Sequence, residues 1–257
     1  VLGVSQWHAD MLGRYYDLGV GLGDVPVVAD FVPNGIDPSR FESRPEKIPF
    51  RCVYASSPDR GLDTLLNFWP QILAVEPTAE LHVAYGWEST DKMIAHGRDD
   101  LAHFKDAMTR KIEAAPQVVW RGRLPQNELA QLYGESVAWL YPTDFLEVSC
   151  ISAMEAMAAG CIPVATACGA LPETIGNAGF LIPGPTTTRG YRDSFPKAAL
   201  GVLMEKNVRT VYAEQARRRA SGLSWDAAFE KWKQVLGLDG ESHNGQVEAV
   251  THDLVTA

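Results

Sequence analysis

With 257 residues and a formal net charge of −9, the chain is long enough to bury a large core and too acidic for nucleic acid to be an expected partner. Its 46% apolar content never gathers into a run of 18, so no transmembrane helix is expected, and the opening VLGVSQWH lacks the basic flank and long apolar core of a signal peptide. Cys52, Cys150, Cys161 and Cys168 form no C-x-x-C pair and sit mostly in apolar surroundings, which reads as buried free thiols in a reducing, cytoplasmic compartment.

In chain order, residues 1–4 read as a short strand, 6–16 as a helix and 25–32 as another strand. Asn34–Gly35 is a turn signal. Residues 50–55 (FRCVYA) run apolar, as the first strand of a Rossmann-like unit would. After a polar loop, Leu62, Leu65, Leu66, Trp69, Ile72 and Leu73 repeat at helical spacing, so a helix packs back on the sheet. Arg60 stands just before that helix, in the loop at the carboxyl end of the sheet where ligands bind, and a guanidinium there suits phosphate; the bland alternative is an ion pair with Asp59 or Asp63. Strands are expected over 80–85, 117–121, 137–141, 161–166 and 180–182. Helices are expected over 91–115 (one or two), 126–133, 149–159, 191–203 and 208–220. Trp225, Phe229, Trp232 and Leu236 form a stripe on a last helix, and 239–257 reads as a mobile tail. Alternating strands and helices predict an α/β fold with a parallel sheet.

The informative stretch is 141–182, YPTDFLEVSCISAMEAMAAGCIPVATACGALPETIGNAGFLI. Glu155 lies in the middle of a helix that is apolar nearly all round, hence buried. A carboxylate there is costly without a partner, and no Arg or Lys occurs between Arg123 and Arg189. Ligand hydroxyls or backbone amides would satisfy it. Glu147 precedes it by eight residues, and the helix start at Ser149–Cys150, which favours anions, falls between the two. The pattern is carboxylate, anion site, carboxylate, suited to a sugar, a diphosphate and a ribose. Glu173 reads as a helix-start residue, and no D-x-D or H-E-x-x-H metal motif occurs.

Glu147 and Glu155, as E-x7-E followed by A-x-A-x-G-x-x-P-V-A-T, resemble the donor-site signature of retaining GT-B glycosyltransferases of family 4. VPNGID at 32–37, DRGLDTLL at 59–66 and the G-x-L loop at Gly122 agree in order, so the resemblance covers about residues 1–236. It implies a metal-independent enzyme that transfers sugar from a UDP- or GDP-sugar to a glycan or lipid-linked acceptor with retention. No cofactor is expected beyond that donor, nor any nucleic-acid partner, and the protein is expected in the cytoplasm or peripherally at a membrane. Glu147 takes the catalytic position. Arg60, Ser56, Ser57, Val148, Ser149, Cys150 and Glu155 take the donor, and Arg121, Arg123 and Leu124 the base. Residues 1–33 are expected as the remnant of an N-terminal acceptor domain, whose remainder is missing or supplied by a partner chain. Residues 34–222 are expected as the nucleotide-sugar-binding, Rossmann-like domain, and 223–238 as a crossing helix that braces the missing part. Three positions depart from the family: Ala55 where a cation is usual, Val148–Ser149 where Phe-Gly is common, and GALPE in place of GG-x-x-E. These departures, with the absent acceptor domain, leave two alternatives, a non-catalytic nucleotide-binding or oligomerisation module of the same fold and a sugar-nucleotide epimerase.

Overall fold

The computed structural model describes residues 2–17 and 30–238. The expected tail over 239–257 and most of the expected strand over 25–32 lie outside them. The chain opens with β1 (Leu2–Gly3), α1 (Gln6–Asp17) and β2 (Asp30–Phe31), the two strands pairing in parallel. The main body follows as β3 (Arg51–Tyr54), α2 (Leu62–Leu73), β4 (Glu80–Ala84), α3 (Glu88–Ala95), α4 (Asp99–Ala114), β5 (Val118–Gly122), α5 (Gln126–Glu135), β6 (Ala138–Tyr141), α6 (Ile151–Ala158), β7 (Ile162–Thr166), α7 (Leu171–Ile175) and β8 (Phe180–Ile182). Three helices end it: α8 (Arg189–Met204), α9 (Lys206–Ser221) and α10 (Trp225–Leu236).

The six strands β3 to β8 form one parallel sheet in the order β5-β4-β3-β6-β7-β8. Strands in such a sheet are covered on both faces, which is why β6 (AWLY) and β7 (IPVAT) are apolar but for the terminal Thr166 and buried at every residue. Pro163 inside β7 is tolerated for a local reason. The Ile162 N–H points to β6, bonding Val137 O, so position 163 would aim its missing N–H toward β8, whose register starts one residue later at Val164.

Every expected element of the main body is present, with shifts of one or a few residues at the ends. The open choice over 91–115 resolves into two helices, broken at Gly97 with φ +90. Asn34–Gly35 makes no turn. Gly35 is needed because its Cα lies against the backbone of Ser224 and Trp225, leaving no room for a Cβ. Ile36 bridges Ser224 there, tying the entry of the main body to the start of α10. On α10 only Ala228 is buried, and the expected stripe faces outward, with Trp225 53% and Phe229 61% exposed. No helix among the described residues is long and apolar enough to cross a membrane.

Candidate active site

The strand order reverses between β3 and β6, which makes the crevice beyond their carboxyl ends the place where a doubly wound sheet binds ligands. Two loops form its walls. The first, after β3, carries Ser56, Ser57 and a turn of 3-10 helix at Pro58–Arg60 that ends on Gly61 with φ +112. The second runs from Pro142 to Cys150 and ends in α6. Gly61 is where the loops touch: a Cβ there would collide with the Pro142 carbonyl.

Glu147 is buried in the second loop at 6% exposure, and its Oε1 accepts a hydrogen bond from Tyr141 Oη at 2.5 Å. Arg60 Nη1, from the first loop, lies 3.4 Å from the same oxygen. Ser56 Oγ is 3.2 Å from Tyr141 Oη, and Tyr54 Oη donates to Ser57 O at 2.7 Å, so the first loop is fastened to the strands beneath it. The Arg60 guanidinium also lies over the Phe145 ring, 4.0 Å from its centroid. Burial works against the charge on Arg60, but Glu147, Tyr141 and Asp59 outweigh it and hold its pKa up. Burial raises the Tyr141 phenol, with Cys150 and Glu147 adding to the effect, so the hydroxyl stays protonated as a donor. On its far side Glu147 is fixed by the Gly-bearing loop after β7, where Ala170 N donates to Glu147 O at 2.7 Å.

Helix α6 starts beside this carboxylate. Cys150 is its N-cap residue, and burial raises the thiol's pKa, so it stays neutral. Ser149 Oγ is buried with no hydrogen-bond partner among the described residues, at the positive end of the helix dipole. Val148 is half-buried between Glu147 and this serine.

Glu155 corrects an expectation. It is buried at 9% exposure as anticipated, but a protein cation answers it: Arg40 Nη1 sits 2.8 Å from Glu155 Oε1. Arg40 belongs to the 3-10 turn Pro38–Phe41, whose cap is Asp37, and its Nη2 also donates to Gln126 O at 3.0 Å. The partner comes from 115 residues away, outside any local sequence window around Glu155. Burial raises the Glu155 pKa and Arg40 opposes it. No hydrogen bond or ion pair among the described residues engages Glu155 Oε2.

Beyond the ends of β4 and β5 lies a cavity of about 370 Å³. Arg123 and Leu124 line it, together with Gly86, Glu88 and Leu129. Arg121 does not, being exposed and near enough to His82 to lower that imidazole's pKa, after burial and Arg51. Glu173 lies in the first turn of α7, and its carboxylate accepts from Gln6 N at 2.9 Å and Trp7 N at 3.0 Å, capping α1. Tyr141 and Arg40 are the two site residues that sequence patterns missed. Tyr141 was absorbed into an apolar strand, and nothing around Arg40 marks it.

This is the architecture of one half of a GT-B protein, a Rossmann-like sheet with its crevice at the switch point. The sequence model of the family described as "Glycosyl transferases group 1" matches residues 50–191, more than half of the chain, and the chain belongs to that family. Curated protein sequences provide no match. Among solved structures, the pneumococcal O-GlcNAc transferase GtfA in complex with UDP and GlcNAc is similar at TM-score 0.68 and 16% identity, over 92% of this chain and 44% of that one. Sucrose-phosphate synthase from Thermosynechococcus elongatus is similar at TM-score 0.68 and 16% identity, over 93% of this chain and 57% of that one. Anabaena Alr3699/HepE in complex with UDP-glucose is similar at TM-score 0.70 and 16% identity, over 93% of this chain and 63% of that one. At such identities the likeness establishes the fold. The chain spans about half the length of the first of these structures.

Proposed function

We propose that this chain is the donor-binding half of a retaining glycosyltransferase, taking sugar from a UDP- or GDP-sugar and passing it to a glycan or lipid-linked acceptor. The observation that carries this reading is the pairing of Arg60 with buried Glu147 across the two loops of the switch-point crevice. Arg60 and the start of α6, with Ser149 Oγ, hold the diphosphate and stabilise the charge that grows on it as the glycosidic bond breaks. Glu147, oriented by Tyr141, faces the sugar and favours the cationic character of the anomeric carbon in the transition state. The bond from that carbon to the phosphate oxygen breaks, the bond to the acceptor oxygen forms on the same face, and the acceptor proton passes to the leaving phosphate. No metal is needed in this scheme, because the guanidinium and the helix end carry the charge. Glu155 offers its remaining oxygen to the ribose hydroxyls while Arg40 holds the other. That GtfA is in complex with UDP and HepE with UDP-glucose supports a nucleotide-sugar donor for this fold.

One observation favours a non-catalytic module instead, namely that Glu155 has an internal counter-ion and needs no ligand. Titrating the protein and Arg60→Ala with UDP and with GDP by calorimetry tests the donor site on which the first reading rests. Affinity that falls about tenfold or more in Arg60→Ala supports the donor site, since hydrogen bonds to charged groups carry about 1.5–3 kcal/mol. Unchanged or absent binding of both nucleotides refutes it.

A further inference from the structure

The cavity beyond β4 and β5 holds two charged side chains that the protein itself leaves unused. Glu88, the first residue of α3, lines it with its carboxylate folded back over Gly86, so close that a Cβ on that glycine would collide with it. Arg123, in the loop after β5, lines the same cavity. Neither is engaged in a hydrogen bond or ion pair among the described residues, although both share one cavity and carry opposite charges. Leu124 and Leu129 give the cavity apolar walls, and its volume of about 370 Å³ is in the range of small-molecule sites.

We propose that this cavity selects guanine, so that the donor is a GDP-sugar; the inference rests on the nucleotide-sugar reading above. A carboxylate has only acceptors and takes two parallel N–H groups best. Guanine alone among the common bases places two donors side by side, N1–H and the N2 amino group. Uracil has one donor, N3–H, between two carbonyl oxygens, so the second carboxylate oxygen would face a lone pair. Adenine sets its amino group beside the bare N1 and meets the same repulsion. Arg123 complements the adjacent edge, since a guanidinium forks onto guanine O6 and N7. An acid and a base in one cavity, with Leu124 and Leu129 beside them, therefore match the donor and acceptor edges of this one base.

Calorimetric titration of the protein and of Glu88→Gln with GDP, UDP, ADP and inorganic pyrophosphate tests the assignment. The expected result is GDP binding about tenfold or more tighter than UDP or ADP, with the preference shrinking to within about threefold in Glu88→Gln. Because Glu88 is exposed, that variant keeps its thermal stability, and loss of preference is not loss of fold. UDP or ADP binding as tightly as GDP overturns the base assignment and leaves the donor site standing, as does pyrophosphate binding without any nucleotide preference. A GDP preference untouched by Glu88→Gln also overturns it. Failure of all four ligands to bind removes the nucleotide-sugar reading together with this one.

Discussion

Arg40 Nη1 and Glu155 Oε1 meet at 2.8 Å, joining the 3-10 turn at the entry of the sheet domain to the buried helix α6. Breaking such a pair strands a charge in an apolar helix. Arg40→Ala is expected to cost about 1–3 kcal/mol near neutral pH. The folded-state pKa of Glu155 is raised, so its contribution to stability is greatest below the unfolded value and is lost as pH rises through the folded one. Removing Arg40 raises that pKa further. Denaturant unfolding of parent and variant should therefore differ more at about pH 8 than at about pH 5. A gap that does not depend on pH would show that Arg40 acts through packing alone.

Glu147 is expected to matter for turnover and little for nucleotide affinity. Glu147→Gln keeps the shape and the bond from Tyr141 but removes the negative charge that the proposed mechanism sets against the anomeric carbon. Sugar transfer or donor hydrolysis should fall on the order of 10²–10³-fold, the size seen when one electrostatic group is removed from a transition state. Nucleotide diphosphate affinity, followed by calorimetry, should stay within about threefold of the parent. Activity near the parent's would take the catalytic role from this residue.

Gly169 couples the loop after β7 to the site. Its φ is +57, and a Cβ there would meet the backbone nitrogen and oxygen of Glu147. Gly169→Ala is expected to lose about 1–3 kcal/mol from strain, or about 2–4 °C in Tm for each kcal/mol. Because the collision is with Glu147 itself, kcat should fall by more than nucleotide affinity does. A Tm within 1 °C of the parent, with kcat unchanged, would mean that the loop yields freely.

The stripe on α10 should be silent in the stability of this chain. Phe229 and Trp232 are 61% and 41% exposed, so the double change to serine is expected to move unfolding by no more than about 0.5 kcal/mol each. Ala228, beside the stripe but 2% exposed, behaves differently: Ala228→Leu should cost about 1–3 kcal/mol by overpacking. Thermal melts of the two variants give the contrast directly. A large loss from the serine changes would place the stripe in contacts beyond the described residues.

Element order, the parallel sheet and the two site loops were legible in the one-dimensional pattern. Each depends on apolar periodicity, glycine punctuation or spacing within some ten residues, and the chain cannot satisfy its backbone in another way over such distances. What only the tertiary structure decided were partnerships between distant residues. Arg40 answers Glu155 across 115 positions and Arg60 reaches Glu147 across 87, while Gly35 is a glycine because of Trp225. The free carboxylate of Glu88 comes to share a cavity with Arg123 only once β4 and β5 lie side by side. A charge buried on a helix announces locally that something must pair with it, but which group does so is fixed by the packing of the whole sheet.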